Sequence, residues 1–347
     1  MNKLTKVGLS ALCGSLASIS SANAGEMNVT GTAQATYTSI GNSVTGNPIG
    51  LNSAVTFTGS GELDNGSTFK VTLTGADQAG YTSGSIVLTT PSMGALSISQ
   101  ATGGNGIGGY DDKLPTAWEE SWGAGISGSI DLAKGVGSSM NIQYSTPTVF
   151  GTTLKIAHAP ANTGGLVNDK SVSGDKGSYK QNGWDAVLDI NAFGQNIFVG
   201  ISESERDSAS KAAGTQSDPR DNHQEGVAGA ILSIGPLKIG AQATAEYTGE
   251  TQVASAVYGY KNVGWGAAFN INDNLSVSYA TLESKKGYVG AGEGNESVKM
   301  IIDSYQIAYT MGGATLKWAE TDVKNSAYST ATTAQVDGST IALSLAF

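Results

Sequence analysis

Asp337-Gly338-Ser339-Thr340-Ile341-Ala342-Leu343-Ser344-Leu345-Ala346-Phe347 closes the chain, and its second half puts a large apolar residue at every other position: Ile341, Leu343, Leu345 and Phe347. The residues between them, Ala342, Ser344 and Ala346, are small or polar. A period of two is the signature of a β-strand, with successive side chains on opposite faces. One face is apolar throughout and the other can border water.

The same pattern appears at the other end. From Met27 to Tyr37 one face carries Met27, Val29, Gly31, Ala33, Ala35 and Tyr37, and the other Asn28, Thr30, Thr32, Gln34 and Thr36. Eleven alternating residues match the ~9–11 that a tilted strand needs to cross a bilayer. Further alternating runs come in pairs around short turn signals: Asp64-Asn65-Gly66-Ser67, Pro91-Ser92-Met93-Gly94, Phe193-Gly194-Gln195, Pro236, Asn272-Asp273-Asn274 and Gly312-Gly313. The connections between pairs, such as 161–182 and 205–224, are long and polar. About sixteen strands result.

Composition narrows the class. The 347 residues include 48 Gly and only 14% charged residues, and the mean hydropathy is −0.10. No run after residue 24 approaches the ~18 apolar residues of a spanning helix, so any membrane embedding has to use strands. Residues 1–24 read as an export signal to be removed: Lys3 and Lys6, a weakly apolar segment at 7–19, and Ala22-Asn23-Ala24 before Gly25. The lone cysteine, Cys13, lies inside it, and Leu12 is too bulky for lipoprotein processing. The mature chain, 25–347, then has no disulfide. Removing Lys3 and Lys6 takes the basic residues from 19 to 17 against 29 acidic ones, a net charge of −12. Such a balance excludes nucleic acid as a natural partner.

One interval breaks the rhythm. Residues 101–138 hold Gly103, Gly104, Gly106, Gly108 and Gly109, followed by Tyr110-Asp111-Asp112-Lys113 and Trp118-Glu119-Glu120. A loop of this length is functional or disordered. Just beyond it, Tyr144-x-x-Pro147-x-x-Phe150-Gly151, with a strand on each side, resembles the Tyr-Ser-Pro-x-Phe-x-Gly turn that follows the third outer loop of Gram-negative general porins, above all the alphaproteobacterial ones. The terminal Phe347 is similar to the assembly signal of bacterial outer-membrane β-barrels. The resemblance implies an all-β transmembrane antiparallel barrel of about 16 strands, a homotrimer in outer-membrane lipid, a third loop folded into the lumen as the constriction, and passive passage of small hydrophilic solutes. It also implies that the amine of Gly25 and the carboxylate of Phe347 meet where the barrel closes, and that the small residues Gly31, Ala33 and Ala35 face the trimer.

A channel of this kind filters and makes no bonds, so no enzyme activity is expected. Carboxylates on a loop held in a narrow lumen repel anions, which makes Asp111, Asp112, Glu119 and Glu120 the candidate constriction residues. The family's facing wall is built from arginines, but here the only arginines are Arg206 and Arg220, between the ninth and tenth strands. Lys70 is the candidate replacement, with Lys155, Lys238 and Lys317 as further lumen-lining cations and Asp185 and Asp189 as lumen-lining acids. Lysine is a mobile point charge and makes a weaker wall than stacked guanidinium groups, so a mild cation preference is expected. The alternatives are a nutrient-selective channel on the same barrel, which would need an inward aromatic or charged track, and an exported β-rich adhesin, which would lack the terminal signal. Gly104-x-Gly106-x-x-Gly109 fits a dinucleotide fingerprint, but no helix follows it. His158 and His223 have no second His or Cys nearby for zinc, so no metal site and no cofactor are expected. Acidic loop residues such as Asp218 and Asp221 could take Ca2+, though no loop has EF-hand spacing.

Overall fold

The computed structural model describes residues 25–41, 46–118, 120–121, 126, 129–137, 140–160, 180–206, 221–250, 256–291 and 297–347. The export signal at 1–24 lies outside them. Sixteen strands follow in order: β1 (Met27–Ile40), β2 (Ile49–Glu62), β3 (Thr68–Ala76), β4 (Ala79–Thr90), β5 (Gly94–Gln100), β6 (Asn141–Ser145), β7 (Thr152–Ala159), β8 (Lys180–Ala192), β9 (Gln195–Arg206), β10 (His223–Ile234), β11 (Leu237–Tyr247), β12 (Val257–Asn270), β13 (Leu275–Tyr288), β14 (Met300–Met311), β15 (Ala314–Lys324) and β16 (Val336–Ala346). Each pairs antiparallel with its neighbours in sequence, and β1 pairs with β16, so the sheet closes on itself. No helix among the described residues is long and apolar enough to span a membrane. The strands alone do so.

Alternation sorts the wall into two surfaces. On β1, Thr32, Gln34 and Thr36 point inward, while Ala33, Ala35 and Tyr37 point out beside Leu345, Leu343 and Ile341 of β16. The exposed outer surface carries Leu51, Phe57, Ile86, Ile98, Val199, Ile201, Leu316 and Leu343. Tyr37, Tyr144, Trp184, Trp265, Tyr305, Tyr309 and Phe347 are also exposed on it. Trp265, Tyr279 and Tyr305 form a run of ring contacts, the first edge-on and the second tilted, with centroids 5.3 and 4.9 Å apart. Amphipathic rings in such a position belong to a bilayer-interface girdle.

At the seam Gly31 N–H donates to the Phe347 carbonyl (2.6 Å) and Phe347 N–H to the Gly31 carbonyl (2.9 Å). A Cβ on Gly31 would stand 2.2 Å from the Phe347 ring, so the missing side chain makes room for that ring. Gly25 does not meet Phe347. It lies upstream beside Ser60 and Gly61 of β2, roughly 20 Å of strand away at ~3.3 Å per residue. Barrel closure staggers the strands, so the first strand runs on past the end of the last.

Two further expectations change. The second outer connection is not long: β3 and β4 extend to a two-residue turn at Asp77-Gln78, with Asp77 at φ 53° and its carboxylate accepting the Ser53 N–H (2.9 Å). Arg206 ends β9 instead of lying in the following loop, and Arg220 falls outside the described residues. The turn after β6 holds Gly151 at φ +78°, where a Cβ would stand 2.1 Å from the Asn191 carbonyl oxygen. Left-handed backbone and a main-chain clash together predict that Gly151→Ala destabilises the barrel by about 1–3 kcal/mol or more. Urea unfolding of the detergent-folded protein should show a lower midpoint. An unchanged midpoint would mean that the turn re-forms without cost.

Candidate functional site

The segment between β5 and β6 runs around the inner wall, held at each step by an inward-facing side chain. Gly106 N–H donates to Gln143 Oε1 of β6 (2.8 Å), and Ile107 N–H to Asp185 Oδ2 of β8 (2.8 Å). Lys113 N–H reaches Gln242 of β11 (2.7 Å), Ala117 N–H reaches Ser278 of β13 (2.8 Å), and Trp118 N–H reaches Gln306 of β14 (3.0 Å). Gln306 and Gln242 donate in return to the carbonyls of Glu120 (2.9 Å) and Tyr110 (3.0 Å). On the way back, Asn262 of β12 donates to the Asp131 carbonyl (2.7 Å), and Glu225 of β10 accepts the N–H groups of Lys134 and Gly135 (2.8 Å each). Val136 N–H returns to Asp185 (3.1 Å).

Asp185 therefore ties the outgoing and returning legs together. Gly106 (φ +63°) and Gly135 (φ +53°) make this possible, because a Cβ on either would fall 1.9 or 2.2 Å from Asp185 Oδ2. Asp189, four residues along β8 toward the short turn at Phe193-Gly194, takes the Tyr110 hydroxyl (2.6 Å) and Lys155 Nζ (3.2 Å). Lys155 also contacts the Tyr110 hydroxyl. Asp185 and Asp189 point inward as expected, but both are buried under the loop; Asp189 has donors on both oxygens, whereas Asp185 Oδ2 takes two N–H groups and Oδ1 is buried without a partner among the described residues. They act as fasteners, and Lys155 is neutralised beside them.

Apolar packing reinforces these bonds. Ile107, Tyr110 and Ala133 of the loop bury against Val187, Phe198 and Val227, which are inward residues of β8, β9 and β10. Leu114, Ile126, Ile130 and Leu132 pack on Leu282, Met300, Ile302 and Val323 of β13, β14 and β15. Apolar residues on an otherwise polar inner face thus mark the loop's track.

The predicted constriction acids separate. Asp112 spends both oxygens inside the loop, on the N–H groups of Ser121 (2.7 Å) and Leu114 (3.3 Å). Asp111 accepts the N–H of Asp112 (2.8 Å). Burial is the largest influence on both and raises their carboxyl groups above the ordinary carboxylate range. Glu120 is exposed, and Glu119 lies outside the described residues.

Lys70 is inward on β3, across the lumen, near the hairpin turn at 64–67 and beside Glu26, Ser60 and Glu62. No ion pair joins it to Asp111, Asp112 or Glu120 among the described residues. Lys238 is inward and exposed next to the short turn at Gly235-Pro236, and Lys317 sits 5.4 Å over the Trp118 ring. On the inward faces of β1–β5 the charged side chains are Glu62 and Lys70, among Thr and Ser. Of the other candidates, Asp218 lies outside the described residues, and Asp221 accepts the Tyr247 hydroxyl (2.7 Å).

A family model described as Gram-negative porin matches residues 8–310. The chain belongs to the Gram-negative porin family. This porin is an outer-membrane protein built as a channel. No curated protein matches it closely in sequence, and its likeness to solved structures shows the fold. The loop-deleted OmpT of Vibrio cholerae is 10% identical with a TM-score of 0.66, covering 94% of this chain and 100% of that one. Salmonella typhi OmpF, solved with daunomycin, is 12% identical with a TM-score of 0.65, covering 93% and 98%. The outer-membrane channel DcaP of Acinetobacter baumannii is 11% identical with a TM-score of 0.58, covering 93% and 98%.

The porin's loop fasteners Gln143, Gln242, Gln306, Ser278, Asn262 and Glu225 were not singled out from sequence. For Gln143, Gln242, Gln306 and Asn262 the signal was present, as amides on strand faces otherwise lined by Ser, Thr, Gly and Ala, whereas Ser278 looks like any other lining residue. Replacing Asp185 with Ala strands two buried N–H groups, at about 1–3 kcal/mol each. The expected result is faster protease cleavage within 101–138 of the folded D185A porin, with the barrel itself still heat-resistant on gels. Cleavage at the wild-type rate would show that the loop does not depend on Asp185.

Proposed function

We propose that this porin is a homotrimer of water-filled channels through which small hydrophilic solutes and ions diffuse passively, with a mild preference for cations. The observation that carries the reading is the asymmetry of charge across the lumen. Asp111 and Glu120 are borne on a loop fastened to one side of the wall, and the hydroxyl-lined opposite wall offers Lys70 and Glu62, which largely cancel. Lys155 is paired with Asp189, which removes it from the balance. The open passage lies between the loop and β1–β5, with the loop as its constriction. Trimer assembly is supported by the family and by the trimer form named for the V. cholerae OmpT structure. The small outward residues Ala33 and Ala35 on β1 fit close protein packing.

The test is single-channel recording of the purified protein across a KCl gradient. Conductance should appear in steps of three, with a reversal potential on the cation side. A unit charge ~8 Å from a passing ion in water contributes roughly 0.5 kcal/mol, about a factor of two in the local concentration of each ion. Asp111→Asn should therefore reduce the cation preference by that order and leave stability nearly unchanged. Protonation removes the negative charge, so the cation preference falls as pH is lowered. Because burial raises Asp111 and Asp112, the fall should begin above the ordinary carboxylate range of ~4. An anion-preferring wild type would overturn the assignment of the loop acids.

A further inference from the structure

Glu225 of β10 and Glu246 of β11 stand directly opposite each other on the inward face. Two carboxylates so placed repel, and the Glu225 side chain is only 1% exposed. Both Glu225 oxygens accept loop N–H groups, and Glu246 Oε1 lies 2.7 Å from His223 Nε2. The Lys134 ammonium pairs with Asp131 at 2.6 Å and also lies within electrostatic reach of Glu246 and Glu225. In the neutral imidazole with its proton on Nε2, directed at Glu246, Nδ1 carries a lone pair. That nitrogen is buried without a hydrogen-bond partner and faces Glu225 Oε2 at 3.8 Å. One buried acceptor aimed at another is costly, and a cation between them removes the cost.

We propose that His223 Nδ1 and Glu225 Oε2 bind a divalent transition-metal ion of the Zn2+ class, with Glu246 holding the imidazole through its other nitrogen. The ligand atoms of the three residues all lie within 4.8 Å of one another. The 3.8 Å from Nδ1 to Glu225 is shorter than the sum of a ~2.0–2.1 Å metal–nitrogen and a ~2.0–2.2 Å metal–oxygen bond, so one ion can touch both. Glu246 fixes the imidazole tautomer from the far side, the arrangement that orients metal-bound histidines. An imidazole nitrogen in the set favours Zn2+ over Ca2+ and Mg2+, which take oxygen ligands. Because Glu225 also holds Lys134 and Gly135, a bound ion would lock the returning leg of the loop to β10.

The experiment is calorimetric titration of ZnCl2 into chelator-stripped, detergent-folded porin, with excess Ca2+ as competitor. A single Zn2+ per chain is expected, undisturbed by Ca2+, with affinity reduced about tenfold or more in H223A and in E246Q. H158A should bind as wild type does. E246Q keeps the shape and an acceptor for Nε2, so it decides the matter if H223A does not fold. Absence of binding would overturn the site, and displacement by Ca2+ or wild-type affinity in both variants would overturn it and move the ion to the acidic outer loops. The readout is heat of binding, so it fails or succeeds independently of conductance.

Discussion

The whole molecule depends on one constraint: in the hydrocarbon of a bilayer there is no water to satisfy a backbone N–H or C=O. A sheet can meet this only by having no edge. Here the requirement is met at the seam, where β1 and β16 pair from Thr32–Ala346 to Ile40–Gly338 and Gly31 exchanges two bonds with Phe347. Closure also separates two solvents. Every second side chain faces lipid and every other faces the lumen, so the strand period becomes the division between greasy and wet surfaces.

The same rule carries over inside. A loop brought into the lumen leaves water partly behind, and its backbone donors need partners on the wall. Gln143, Asp185, Gln242, Ser278, Gln306 and Glu225 supply them from six strands. Each fastener meets main chain, so the loop's position depends little on its own side chains at those points. The loop's side chains are then available for packing, as with Ile107 and Leu114, or for charge, as with Asp111. Hydrogen bonds set where the loop lies, and apolar contacts with Phe198, Met300 and Ile302 add the burial that keeps it there.

Much of this was legible in the residues and some was not, for reasons that can be named. Strand identity was readable because period two is a local property, and Asn65-Gly66, Gly194 and Gly312-Gly313 mark the tight turns on one side. The turn at Asp77-Gln78 was missed because Gly75, Gly80 and Gly84 dilute the alternation on both sides of it. Gly25 was misplaced because closure involves stagger, a property of the whole ring that neither end reveals. The inward apolar residues looked like imperfections of the pattern. In runs such as Ile197-Phe198-Val199 and Met300-Ile301-Ile302 both faces are apolar, which a water-lined strand has no reason to be, and that departure marks where the loop lies.

Charge is the hardest quantity to read from sequence, because one residue type serves opposite purposes. Asp112 receives a loop N–H on each oxygen and Asp185 Oδ2 receives two, whereas Asp111 receives the N–H of its neighbour. Nothing in the local sequence distinguishes them; Asp111 and Asp112 are adjacent. The difference arises from what the loop places over each carboxylate, which is set by pairings as distant along the chain as Trp118 with Gln306. The cross-strand pair Glu225–Glu246 follows the same logic. Two residues after His223, on the same face of β10, stands one glutamate, but the second arrives only when β10 and β11 zip in register. A count of charges bounds the net field of the channel, and the register of the sheet decides which of those charges an ion in the lumen can meet.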